Sequence, residues 1–85
     1  MNTVFLLMAE FNSPTLPLEK VAKNYFGLND LNKAKRKAAA NELPIAFFRT
    51  ATSQKCPWVC DIRDLAELID TRRQAANEEF EKSNG

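Results

Sequence analysis

Two helix signals separated by a three-residue turn constrain this chain more than any other feature. Leu18, Val21, Ala22, Tyr25 and Phe26 recur at i, i+3, i+4, i+7 and i+8, a complete apolar stripe on one helix face. Pro17 suits the first helical position, where its missing N–H costs nothing, and Gly27 supplies the stop. After Gly27-Leu28-Asn29, Asn29 or Asp30 can cap a second helix running to about Asn41. At 100° per residue, Leu31, Ala34 and Ala38 share one side of it. Lys33, Arg36, Lys37 and Ala40 fall opposite, with Asn32 and Lys35 on the flanks. The buried side is small enough for close approach to a neighbour, and the exposed side is basic.

The flanking segments complete an α+β pattern. Thr3 to Phe11 is rich in β-branched, aromatic and long apolar residues and reads as a strand or short buried segment, broken by Asn12-Ser13-Pro14. Leu43-Pro44 ends the helical run. Ile45-Ala46-Phe47-Phe48-Arg49 has strand character, and Trp58-Val59-Cys60 is its expected partner across a projecting loop, Thr50 to Pro57. Tyr25-Phe26 reads as core, and Trp58 as core or hairpin packing. Asp61 and Asp64 stand in capping-box-like spacing for a third helix. Ile62, Leu65, Ala66 and Ile69 form its core stripe, which Ala76 and Phe80 prolong beyond what so small a domain needs. The expected fold is a winged helix-turn-helix, excisionase/MerR-like, with an extended C-terminal helix. Residues 1–82 make its single domain, and residues 83–85 are expected to fray.

Residue counts exclude several chemistries. The chain has no histidine, which excludes His-based zinc sites, Ser-His-Asp and Cys-His catalysis, and a histidine pH switch. Two glycines cannot build a phosphate-cradling loop. Cys56 and Cys60, the only thiols, could be half of a metal site or a redox pair, but no ligands complete such a site. The simpler reading is two small, partly buried side chains on one strand face, close enough for an incidental disulfide under oxidation. The expected protein therefore binds rather than catalyses, without cofactor or metal. Val4 to Ala9 is too short to span a bilayer and lacks a basic flank, so a cytoplasmic protein is expected.

Charge sharpens the binding reading. Twelve Lys+Arg against eleven Asp+Glu give a formal net charge of only +1. By position, however, residues 1–19 carry −2 and residues 61–85 carry −3. Residues 20–60 hold eight bases against Asp30 and Glu42, or +6. A basic centre between acidic ends predicts one polyanion-binding face. In the winged topology the second helix would enter the major groove of double-stranded DNA. Arg36 could pair bidentately with guanine and Asn32 with adenine, while Lys33, Lys35 and Lys37 suit phosphates. Ser53, Gln54 and Lys55 near the loop tip, with Arg49 at its base, would follow the neighbouring backbone or minor groove.

In order and spacing the chain also resembles the pyocin activator (PrtN-type) proteins of bacteria and their prophages. The likeness runs through Phe5-Leu6-Leu7-Met8-Ala9, Pro17-Leu18-x-x-Val21-x-x-x-Tyr25-Phe26 and the Leu/Ala/Lys/Arg helix. It continues through Leu43-Pro44, Ser53-Gln54-Lys55, and Asp64-Leu65-Ala66-x-x-Ile69-Asp70 before Arg72-Arg73. Cys56-Pro57-Trp58 and Cys60 depart from the family's plainer segment after the loop. The resemblance implies a small DNA-binding transcriptional activator of phage-derived or bacteriocin genes. It carries Lys33, Arg36, Lys37, Ser53, Gln54 and Lys55 over as DNA contacts.

Two rivals accompany that reading: an excisionase-like factor that acts by bending DNA, and a phage-encoded inhibitor that turns its basic face on a protein target. The long last helix sets Arg72 and Arg73 against a Glu78-Glu79-Glu81 cluster. It is the expected surface for a homodimer or for contact with RNA polymerase.

Overall fold

A computed structural model describes residues 2–84. It has four helices and one two-stranded antiparallel sheet: α1 (Thr3–Phe11), β1 (Thr15–Pro17), α2 (Leu18–Tyr25), α3 (Leu31–Ala39), β2 (Val59–Asp61) and α4 (Ile62–Asn84). This α+β arrangement is compatible with a winged helix-turn-helix.

The segment expected to be a strand, Thr3–Phe11, is α1. Its ends explain the difference. Asn2 caps the start, its side-chain oxygen accepting the Val4 N–H at 2.9 Å, and Asn12 closes the end at φ 51°. Leu7 is buried while Phe5, Leu6 and Met8 are exposed, so the helix is apolar on its outer face too. That hides the 3.6-residue period.

Strand pairing also differs from the expected hairpin. β2 pairs with β1, placing Thr15 opposite Asp61, Leu16 opposite Cys60 and Pro17 opposite Val59. Ile45–Arg49 contributes only one bridge, Phe48 to Val59, with both backbone hydrogen bonds at 2.8 Å. Pro17 ends β1 and caps α2 rather than entering it, and the Leu18 N–H donates to the Trp58 carbonyl at 2.8 Å. Proline fits there because the end of a short edge strand needs no donor.

The helix pair forms as expected and ends slightly sooner. Gly27, at φ 67°, stops α2, a backbone conformation that other residues rarely adopt. Asp30 caps α3 by accepting the N–H groups of Asn32 (3.0 Å) and Lys33 (3.3 Å). At the far end Asn41 takes φ 57°, and the N–H groups of Asn41 and Glu42 return to the Ala38 and Lys37 carbonyls. That is the Schellman pattern, and it fixes the helix end.

One core joins these pieces: Leu7, Leu16, Leu18, Val21, Ala22, Ala34, Ala38, Phe47, Cys60, Ile62, Leu65 and Ala66. Each fully buried Leu, Ile or Val contributes about 1.5–3 kcal/mol. Ala34 and Ala38 give α3 a short buried edge that lies close against α2. Phe26 meets Phe47 edge to face at 6.2 Å. Tyr25, expected in the core, is exposed.

α4 is positioned at its start by Asp61, which accepts the Arg63 N–H at 2.7 Å and pairs with the Arg63 guanidinium at 2.7 Å. Arg63, rather than the expected Asp64, is the partner of Asp61. The helix continues through Ser83 and Asn84, where the Asn84 amide donates to the Phe80 carbonyl at 2.9 Å, while Gly85 lies outside the described residues.

Candidate nucleic-acid interface

α3 has its basic residues on the outside because Ala34 and Ala38 take the inside. The burial pattern refines the helix wheel. Asn32, Lys33, Lys35 and Arg36 are exposed, whereas Lys37 is half-buried. With Ala34 and Ala38 fixing the inner direction, Arg36 and Asn32 lie nearest the outward normal at 100° per residue. Lys33 and Lys35 stand to either side. Lys37 is set back, lining a separate hollow with Tyr25, Phe26, Leu28, Glu42 and Arg72. It is thus not central on the outer face, as the sequence wheel placed it.

The loop after Phe48 brings a second set of cations to the same side. Lys35 and Leu31 of α3, the start of α2 at Pro17, Leu18 and Glu19, and the loop residues Arg49, Gln54, Lys55, Cys56, Pro57 and Trp58 line one groove of about 340 Å³. Lys35, Arg49, Gln54 and Lys55 therefore converge although up to twenty residues separate them in sequence. Glu19 is the one acid lining the groove, against three cations. Asn32, Lys33 and Arg36 lie outside the groove on the exposed helix surface, and Ser53 does not line it either.

Three local contacts shape this loop. The Arg49 guanidinium lies 5.0 Å from the centre of the Trp58 ring, and cation–π attraction orients it. Ser53 accepts the Lys55 N–H on its hydroxyl at 3.2 Å and the Cys56 N–H on its carbonyl at 3.0 Å, so it makes the turn that presents Lys55. Thr50 Oγ1 and Cys56 Sγ are 3.6 Å apart, joining the two arms of the loop. The wing-like segment is thus an irregular, internally bonded loop rather than the tip of a regular hairpin. Trp58, read as packing in the sequence, is half-buried and also forms part of the groove wall.

The two cysteines have opposite environments and are both free. The Thr50 hydroxyl is the main influence that lowers the Cys56 thiol pKa, with Arg49 adding to it. Burial, followed by the nearby Asp64 charge, pushes the Cys60 thiol up to about 11. Among the described residues, no group of three or more Cys, Asp or Glu could hold a metal ion, and no helix is long and apolar enough to cross a membrane.

Fold and site together define a small α+β domain that presents a basic helix beside a cationic, aromatic-walled groove. The family described as pyocin activator protein PrtN matches residues 3–76, most of the chain and every element except the end of α4. The chain belongs to that family. No curated protein and no solved structure matches it.

Proposed function

We propose that this chain is a sequence-specific, double-stranded-DNA-binding transcriptional regulator, an activator of phage-derived or bacteriocin genes. Membership of the pyocin activator family supports the regulatory role. The observation that carries DNA binding is the convergence of Lys35 from α3 with Arg49, Gln54 and Lys55 from the loop around one groove. In this reading the fold works as a winged helix-turn-helix. α3 enters the major groove, with Arg36 and Asn32 toward base edges and Lys33 toward phosphate. The loop follows the neighbouring backbone, where Arg49, Lys55 and Lys35 bind phosphates and Gln54 donates a hydrogen bond. Lys37, set back on its flank, reaches a phosphate at the edge of the contact. Ser53 acts mainly by shaping the turn.

The protein supplies no nucleophile–base pair in this account, and its chemistry is recognition alone. Binding to duplex DNA from upstream of its own and neighbouring operons, against scrambled duplexes of equal length, tests the proposal. A preference of roughly a thousand-fold is expected, the low end for specific regulators, because a single small domain makes few base contacts. Equal affinity for both would reject it.

A further inference from the structure

Two exposed apolar features lie together on the side of the molecule formed by α1 and α4. On α1, Phe5, Leu6 and Met8 are 73%, 48% and 41% exposed, and Ala9 is exposed beside them. A helix apolar on all faces ordinarily has both sides covered, and contiguous apolar patches are uncommon on monomers. On α4, every residue from Thr71 to Asn84 is exposed, including Phe80 at 67%. At 1.5 Å per residue this overhang reaches about 20 Å past the core. The core stripe of Ile62, Leu65 and Ile69 continues along it through Ala76 to Phe80, at helical spacing.

The two features meet at the root of the overhang. Thr3, the first residue of α1, donates from its hydroxyl to Asp70, while the Ile62 N–H donates to the Pro14 carbonyl beyond the other end of α1. These contacts set α1 antiparallel to the first turns of α4, with its starting turn where the overhang begins.

We infer that this surface is a homodimer interface, formed by antiparallel pairing of two α4 overhangs about a two-fold axis at Ala76. Charge order selects both the occupant and its direction. Along the overhang the bases Arg72 and Arg73 come first and the acids Glu78, Glu79 and Glu81 follow. Parallel pairing sets like charges side by side. Antiparallel pairing about Ala76 sets Arg73 opposite Glu79 of the partner subunit, a pair that occurs twice, with both side chains flanking the Ala76 seam at about 60° round the helix. Two-fold symmetry requires this self-complementarity. Ala76 meets its own copy, where a small side chain permits close approach. Phe80 of the partner subunit arrives level with Arg72, near the root and the exposed start of α1. Thus Phe80, which each copy alone leaves uncovered, is packed against the other copy.

This inference is independent of DNA binding and is tested without DNA, by sedimentation equilibrium of the full chain. The wild type is expected to reach twice its 9.6 kDa mass with a dissociation constant in the micromolar range. Reversing Arg72 and Arg73 to Glu, or Glu78 and Glu79 to Arg, weakens self-association by roughly ten-fold or more, since like charges then face one another. An equimolar mixture of the two reversed chains restores the dimer. Phe80→Ser weakens it too, and circular dichroism shows each variant still folded because all five positions are exposed. A monomeric wild type overturns the inference and leaves the overhang to another protein. A dimer indifferent to both reversals, or a mixture that stays monomeric, overturns it equally.

Discussion

Arg49 and Trp58 stand at the two ends of the wing-like loop, with the guanidinium 5.0 Å from the centre of the indole ring. The contact closes the loop and leaves the positive charge of Arg49 in the groove wall, beside Lys55 and across from Lys35. Trp58 is the chain's single tryptophan, so its fluorescence reports on this place alone. Adding duplex DNA is expected to change its emission in step with binding measured by anisotropy. Binding without any change would place the DNA elsewhere. Arg49→Lys loses the planar stacking group while retaining the charge, and it should weaken binding by roughly 0.5–2 kcal/mol.

Arg36 and Lys55 should fail in different ways. Arg36 stands near the outward normal of α3, so Arg36→Ala is expected to cost about 1–3 kcal/mol on the preferred site and to relax preference at one base position. Lys55→Ala should weaken all sequences alike and reduce the salt slope by about one. Competition assays across single-base variants of the site separate the two patterns. Equal effects on preference would remove the division between base reading and phosphate binding.

Asp61 couples the start of α4 to pH. Arg63 hydrogen-bonds its carboxylate from side chain and backbone and draws its pKa down from 3.8 to about 2. A depressed carboxylate contributes stability that is present above its unfolded pKa. That contribution is lost as pH falls from about 4 through 2. Asp61→Ala removes the cap and should lower stability at neutral pH by about 1 kcal/mol. The difference between wild type and variant in urea unfolding should narrow on acidification through that window. A difference constant from neutral pH to pH 2 would show that the charge contributes nothing.

The thiols give a separate check on the fold. Cys60 is wholly buried with its pKa raised to about 11, whereas Cys56 is only half-buried, in the loop, with its pKa lowered. A thiol reagent should modify one group per native chain, and Cys56→Ser should abolish that reaction. Cys60 should react only on unfolding. Rapid modification of both in the native protein would contradict the packing of β2.

The helices with one polar side were legible from sequence. Leu18, Val21 and Ala22, Ala34 and Ala38, and Ile62, Leu65 and Ala66 all repeat at helical spacing and are buried. α1 was not, because Phe5, Leu6 and Met8 are apolar although they face outward, and only the asparagines at its ends mark its limits. β1 is not legible locally, because Pro14 reads as a break and Pro17 as the first residue of a helix, leaving no room for a strand between them. Its pairing with β2 depends on a contact across more than forty residues, which no local pattern contains. The site was legible as a list of cations, but not in its arrangement. Lys35, on the flank of the sequence wheel, faces the groove, and Lys37, at its front, is set back.

In the proposed function the basic helix and the loop bind duplex DNA as one surface. Affinity for an upstream operon duplex measured against salt concentration tests it most directly. Lys33, Lys35, Lys37, Arg49 and Lys55 contact phosphates and the charge of Arg36 adds to their field, so a log–log slope of about −4 to −7 is expected, with scrambled duplex bound more weakly at every salt concentration. A slope near zero, or identical affinity for the scrambled duplex, would mean that helix and loop do not form a sequence-specific DNA-binding surface.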